Sequence, residues 1–201
     1  MPLVKLDLSS EEFSFLKPLV DSREKIVEEH RDMKESDRDH HFALANWSVV
    51  LLQCGSDKFD AMSRFPTISK FSDNLPKKYL LAQMMISEIG YGSTAFHEEK
   101  WTELEGFHRI HIPLANFCGC SLDIVEDNDE VVNYTYGMGD VYNFENAYNM
   151  HMPSNFNDNG ELRLMILLDI VDTDVNPDVD ADELLKRYRI GEKEFTLPPP
   201  L

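Results

Sequence analysis

F-H-R-I-H-I-P-L (Phe107–Leu114), G-D-V-Y-N-F-E-N (Gly139–Asn146), H-M-P-S-N (His151–Asn155) and R-L-M-I-L-L-D-I (Arg163–Ile170) lie within one stretch, Phe107–Asp169 extended by a residue, whose reading decides the fold. The first segment alternates. As a strand it sets His108, Ile110, Ile112 and Leu114 on one face and Arg109, His111 and Pro113 on the other. The last alternates in the same way, with Leu162, Leu164, Ile166, Leu168 and Ile170 opposed to Arg163, Met165, Leu167 and Asp169. Each strand thus has one apolar face for a packed layer and one face carrying cations and an imidazole. Pro153 to Gly160 is turn chemistry, and Asn159-Gly160 is a hairpin signal. This predicts that the strands of His151 and Arg163 are antiparallel neighbours and share one cavity. Paired neutral imidazoles suit a divalent transition metal, and a buried arginine suits a carboxylate.

Outward from that stretch, the order of elements predicts a barrel or sandwich. Asn46–Gln53 reads as a strand, Phe65–Pro76 as a helical piece, and Tyr79–Gly90 as a long strand. Short strands follow near Ser121–Glu126, Val131–Tyr136 and Asp140–Phe144, separated by Asp, Asn and Gly turns. On the N-terminal side, Ser9-Ser10-Glu11-Glu12 reads as a helix start whose apolar stripe Pro18 breaks, and a charged helix follows from Ser22 to about Met33. His40 and His41 are adjacent, so on a strand they point apart and make a poor metal site. The Asp- and Pro-rich tail leads into a short helix from Ala181 to about Tyr188.

The bulk numbers exclude several classes. The chain has 201 residues, of which 42% are hydrophobic, enough for one domain with its own core. Its formal net charge of -18 repels phosphate backbones, so nucleic acid is not an expected partner. Three cysteines, Cys54, Cys118 and Cys120, are too few for a zinc site, and an odd count fits a reducing compartment. Cys118-Gly119-Cys120 reads as a strand edge. No signal-peptide core opens the sequence and no apolar run reaches membrane length, so a soluble, cytoplasmic protein without a membrane partner is expected.

In order and spacing these motifs, over about residues 45–170, resemble the aspartyl/asparaginyl β-hydroxylase type of 2-oxoglutarate/Fe(II)-dependent oxygenase, a family related to bacterial proline hydroxylases. F-P-T-I-S-K-F-S-D-N-L-P (Phe65–Pro76) and I-S-E-I-G-Y-G-S-T-A-F-H-E (Ile86–Glu98) follow the family's order as well. The resemblance implies a mainly β fold with flanking α-helices, a double-stranded β-helix or cupin-like jelly roll. It implies a single domain over residues 1–201: a helical N-terminal segment (about 1–44), the β-helix core (about 45–171) and a tail (172–201).

It also implies roles. His111 and His151 would hold Fe(II), and Arg163 would bind the far carboxylate of the cosubstrate 2-oxoglutarate. Most relatives complete the metal site with a carboxylate two residues after the first histidine; here that residue is Pro113. The aspartyl/asparaginyl branch also lacks it and uses water, and halogenases lack it and use a halide. Glu145 and Asn146 fall where that branch keeps acids that orient the water. The strand after the first histidine lacks the family's extra cation, so Arg109 is a candidate for the cosubstrate or for a substrate carboxylate. His97, with Glu98, is a candidate for the substrate entrance, and Asn155 for packing and turn hydrogen bonds. The implied activity is hydroxylation of an amino acid, a peptide side chain or a small metabolite. A halogenase and a non-catalytic cupin-like binding module are the alternatives. The two terminal segments are candidates for covering the barrel mouth or for forming a homodimer.

Overall fold

Alternation in the two quoted strands sorts the core into two layers. In the computed structural model, which describes residues 3–33, 41–44 (backbone), 46–98, 104–126, 128–145, 149–157 and 159–180, Ile110, Ile112, Leu114, Leu164, Ile166, Leu168 and Ile170 all join one apolar cluster. Met165 and Leu167, from the opposite face, join a second cluster. A single strand that feeds two cores must lie in a sheet covered on both sides.

The strands are β1 (Leu3–Lys5), β2 (His41–Leu44), β3 (Trp47–Cys54), β4 (Asp57–Lys58), β5 (Tyr79–Ile89), β6 (Gly92–Ser93), β7 (Phe107–Ala115), β8 (Cys120–Val125), β9 (Val131–Thr135), β10 (Tyr142–Phe144), β11 (His151–Asn155) and β12 (Arg163–Asp172). The large sheet runs β1-β10-β7-β12-β5-β3-β2, with β4 on β3; the small one runs β6-β11-β8-β9. Every pairing is antiparallel. Leu122 and Ile124 of the small sheet meet Met165, Leu167, Tyr142 and Phe144 of the large sheet, so the second core lies between the sheets. On the outer face of the large sheet lie α1 (Lys17–Asp21), α2 (Arg23–Arg31) and α3 (Pro66–Asp73), which bury Leu19, Ile26, Ile68 and Phe71 in the first core. Among the described residues, no helix is long and apolar enough to cross a membrane.

Several local expectations are corrected. The strands of His151 and Arg163 are not neighbours: β11 pairs with β6 and β8, and β12 with β5 and β7. The turn between them crosses from one sheet to the other, and His151 is the first residue of its strand. Asn155 holds that crossing, its Nδ2 donating to the carbonyls of Ile89 and Glu161 at 2.8 and 3.0 Å. Leu162 falls within this connection and is exposed, outside the alternating strand.

The N-terminal helix starts late. Asp7 Oδ1 accepts from the amide and hydroxyl of Ser9, and Ser10 Oγ donates to Asp7 O, so short polar side chains close a turn there. Pro18 sits in the first turn of α1, where a missing N–H costs nothing, so it starts a helix instead of breaking one. The N-terminal segment also supplies β1 and β2, the two edge strands of the large sheet, within a region expected to be helical. Glycine in a left-handed turn explains Cys118-Gly119-Cys120: Gly119 has φ +76°, Cys118 is exposed, and Cys120 starts β8 as a buried free thiol. The expected tail helix, and His40, lie outside the described residues.

Candidate active site

His111 lies mid-way along β7, on the face turned into the barrel. It is 5% exposed, and its Nδ1 lies 2.8 Å from the hydroxyl of Tyr136. His151, the first residue of β11, is equally buried, and its Nδ1 donates to the carbonyl of Asn149 at 2.7 Å. The Phe144 ring stands edge-on to both imidazoles, with centroids 5.6 Å from His111 and 4.9 Å from His151. The two histidines therefore come from different sheets and meet the same aromatic ring between them.

Their electrostatics favour the neutral form. Burial holds His111 well below its ordinary pKa, and the positive charges of Arg109 and Arg163 and the nearby His151 push the same way. Burial also holds His151 well below its ordinary value, helped by His97 and Arg109 and opposed by the Asn149 carbonyl. Neutral imidazole is the metal-binding form. With Nδ1 engaged by the protein in each ring, Nε2 is the nitrogen each would offer a metal.

Arg163, the first residue of β12, is 1% exposed. Its Nη1 donates to the carbonyls of Ser154 at 3.1 Å and Ser121 at 3.3 Å, and its Cζ lies 5.0 and 5.2 Å over the rings of Phe117 and Tyr136. Its Nε and Nη2 are buried and have no hydrogen-bond partner among the described residues. The Tyr136 hydroxyl stands beside the guanidinium, and each acts on the charge of the other. A fully buried cation with two unsatisfied donors fits an anionic ligand, and adjacent guanidinium donors fit a carboxylate best.

Arg109 shares the inner face with His111, yet it is already matched. Its Nε and Nη2 donate to Asp169 Oδ1 and Oδ2 at 2.8 and 2.6 Å, a bidentate pair in which neither residue exceeds 2% exposure. Its charge still reaches His97, His111 and His151. The carboxylate that Arg109, a candidate for the cosubstrate, binds in this structure is the protein's own Asp169.

The remaining candidates separate. His97 is brought to the pair: its backbone bridges His151 in both directions, at 3.0 and 2.8 Å, and the ring centroids are 4.3 Å apart. Trp47 stacks on the His97 ring at 5.5 Å. Glu145 is exposed, and its charge acts on His108, not on His111 or His151, so it is not brought to that histidine pair. Asn155 is fully buried, with its amide committed to the crossing turn. Asn146 lies outside the described residues. Pro113 pairs with Met165 on β12, beside a shift in register. Among the described residues no three His, Cys, Asp or Glu side chains form a metal-binding group. Tyr136, Phe144, Phe117 and Asp169 are the partners that sequence reasoning missed. Asp169 alone had a signal, since it alternates onto the face of Arg163; the others reach the site from separate strands or loops.

No protein-family model and no curated protein matches the chain. Solved structures do. An oxidoreductase of the "2OG-Fe(II) oxygenase family" from Burkholderia pseudomallei superposes with a TM-score of 0.53 at 9% identity, covering 76% of this chain and 78% of that one. EctD from S. alaskensis, solved with bound Fe, gives 0.50 at 11% identity, covering 87% and 74%. The chain is a double-stranded β-helix. At such identity the likeness carries the fold, and the chemistry has to be argued from the residues inside the β-helix.

Proposed function

We propose that this protein is an Fe(II)/2-oxoglutarate-dependent oxygenase that hydroxylates an amino acid, a peptide side chain or a small metabolite. The observation that carries the reading is Arg163: a buried guanidinium, aimed by two carbonyls, with Nε and Nη2 unpartnered. A binding module has no need of such a cation in a barrel that also buries two neutral histidines. In this reading His111 and His151 hold the metal through Nε2, and Arg163 binds the far carboxylate of 2-oxoglutarate. Iron and 2-oxoglutarate together supply the activation of dioxygen, with 2-oxoglutarate leaving as succinate and carbon dioxide.

The protein's own part is orientation and exclusion of water. Asn149 O fixes the proton of His151 on Nδ1. Ser121 O and Ser154 O turn the guanidinium so that its unused edge faces the ligand. Phe144 packs edge-on against both imidazoles, and Phe117 and Tyr136 lie against the guanidinium. His97 stands next to His151, with Trp47 stacked on it, where a substrate would enter.

Pro113 supports one further reading. It gives the metal no protein carboxylate, so a water or a halide completes the set, and a halide would make the enzyme a halogenase. Three free thiols, Cys54, Cys118 and Cys120, suit a reducing, cytoplasmic setting.

The test is oxygen-dependent formation of succinate from 2-oxoglutarate with Fe(II), run with and without chloride. Wild type should form succinate, and His151→Ala should form none. Arg163→Ala should need at least about tenfold more 2-oxoglutarate, the worth of one charge-assisted hydrogen bond. An Arg163→Ala variant with an unchanged requirement would remove the basis for the reading.

A further inference from the structure

The two candidate metal ligands are held differently. His151 Nδ1 faces a backbone carbonyl, which only accepts, so its proton is fixed on Nδ1. His111 Nδ1 faces the Tyr136 hydroxyl, which either accepts or donates. Tyr136 follows β9 and is buried, wedged edge-on against Phe117 at 5.5 Å and Tyr142 at 5.2 Å. Its ring is one wall of the Arg163 cradle. One side chain thus holds its hydroxyl against His111 and beside the Arg163 guanidinium, whose carbon lies over its ring.

Resting on the oxygenase reading above, we propose that Tyr136 is a positioning residue that makes metal binding and cosubstrate binding cooperative. Its hydroxyl has one proton and two places to send it. Without metal, His111 can keep its proton on Nε2, and Tyr136 donates to Nδ1. When a metal takes Nε2, the imidazole proton must sit on Nδ1 and be donated to Tyr136 Oη. The tyrosine proton is then released for the carboxylate beside Arg163. The imidazole gives up its Nε2 proton and gains one on Nδ1, so no proton is gained or lost overall. Metal binding therefore adds a donor to the anion site, and an anion at Arg163 favours the metal-binding tautomer by the same factor. His151 takes no part, because its carbonyl partner admits one tautomer only.

The probe is butyrate, which has the far carboxylate and chain of 2-oxoglutarate but no keto acid to chelate a metal. Its affinity is measured by NMR titration with and without saturating Zn(II), in wild type and in Tyr136→Phe, a change that keeps the packed ring. Zn(II) should tighten butyrate binding in both through its charge, and in wild type by a further factor of about five to ten, one hydrogen bond's worth. Equal ratios in the two proteins would overturn the proposal. The 15N signals of the His111 imidazole give a second readout. A shift from Nε2–H to Nδ1–H when Zn(II) binds wild type supports the proposal, and Nδ1–H already dominant in the metal-free protein overturns it. Loss of Zn(II) binding in His111→Ala and of butyrate binding in Arg163→Met checks the oxygenase reading separately. If either persists, that reading fails whatever Tyr136 does.

Discussion

Arg109 and Asp169 face each other across neighbouring strands inside the barrel, joined by two parallel hydrogen bonds of 2.8 and 2.6 Å and shielded from solvent. Removing one member leaves the other charged and dry. Asp169→Asn should therefore cost about 3–5 kcal/mol of stability, whereas Arg109→Met with Asp169→Leu should cost far less. Urea unfolding of the three proteins decides it. A single variant within about 1 kcal/mol of wild type would mean that water reaches the pair.

A second buried pair works on the outer face of the large sheet. His30 Nε2 of α2 lies 2.5 Å from Glu88 Oε1 of β5, and Ser48 Oγ donates to Glu88 Oε2 at 2.5 Å. Glu88 is 3% exposed. Glu88→Ala should cost about 3 kcal/mol, by leaving these donors buried without their carboxylate, and should loosen α2. Hydrogen exchange would report the loosening as faster exchange in Arg23–Arg31. Metal binding should be unchanged, because Glu88 points away from His111; a lost metal site would refute the separation of the two faces.

Acid should weaken the metal-free protein through its histidines. Burial lowers His97, His108, His111 and His151 below their ordinary value of 6.5. The unfolded chain then binds more protons than the folded one as pH drops below 6.5, so stability present above that pH is lost on the way down to the folded values. The urea midpoint should fall between about pH 7.5 and about pH 5.5, before exposed carboxylates titrate. A flat profile over that window would contradict the burial of these rings.

Gly119 tests the turn that launches β8. Its φ is +76°, and a Cβ there would come within 3.0 Å of the Phe156 carbonyl oxygen. Gly119→Ala should cost about 1 kcal/mol or more, through left-handed backbone strain alone. Thermal unfolding measures it, and an unchanged Tm would show that the turn relaxes freely.

Legibility followed periodicity. The alternation of β7 and β12 identified the strands, the two packing faces and the inward placement of His111, Arg163 and Asp169. The link from His151 to Arg163 misled, because Asn159-Gly160 marks a turn without saying whether the next strand stays in the same sheet. Short polar turns at Asp7–Ser10 resemble a helix cap until their side chains are seen closing on themselves. Tyr136 gave no local signal. Its role arises from packing a residue after β9 against one in β7 and one in β12, a contact that no spacing along the chain encodes.

The central claim is a paired iron and 2-oxoglutarate site made by His111, His151 and Arg163. Its most direct test adds Fe(II) and 2-oxoglutarate to the metal-free protein without oxygen and looks for the visible charge-transfer band of the chelate. The account predicts a band in wild type, none in His151→Ala, and a band in Arg163→Ala only at much higher 2-oxoglutarate. No band in wild type, or an equal one in His151→Ala, would contradict it.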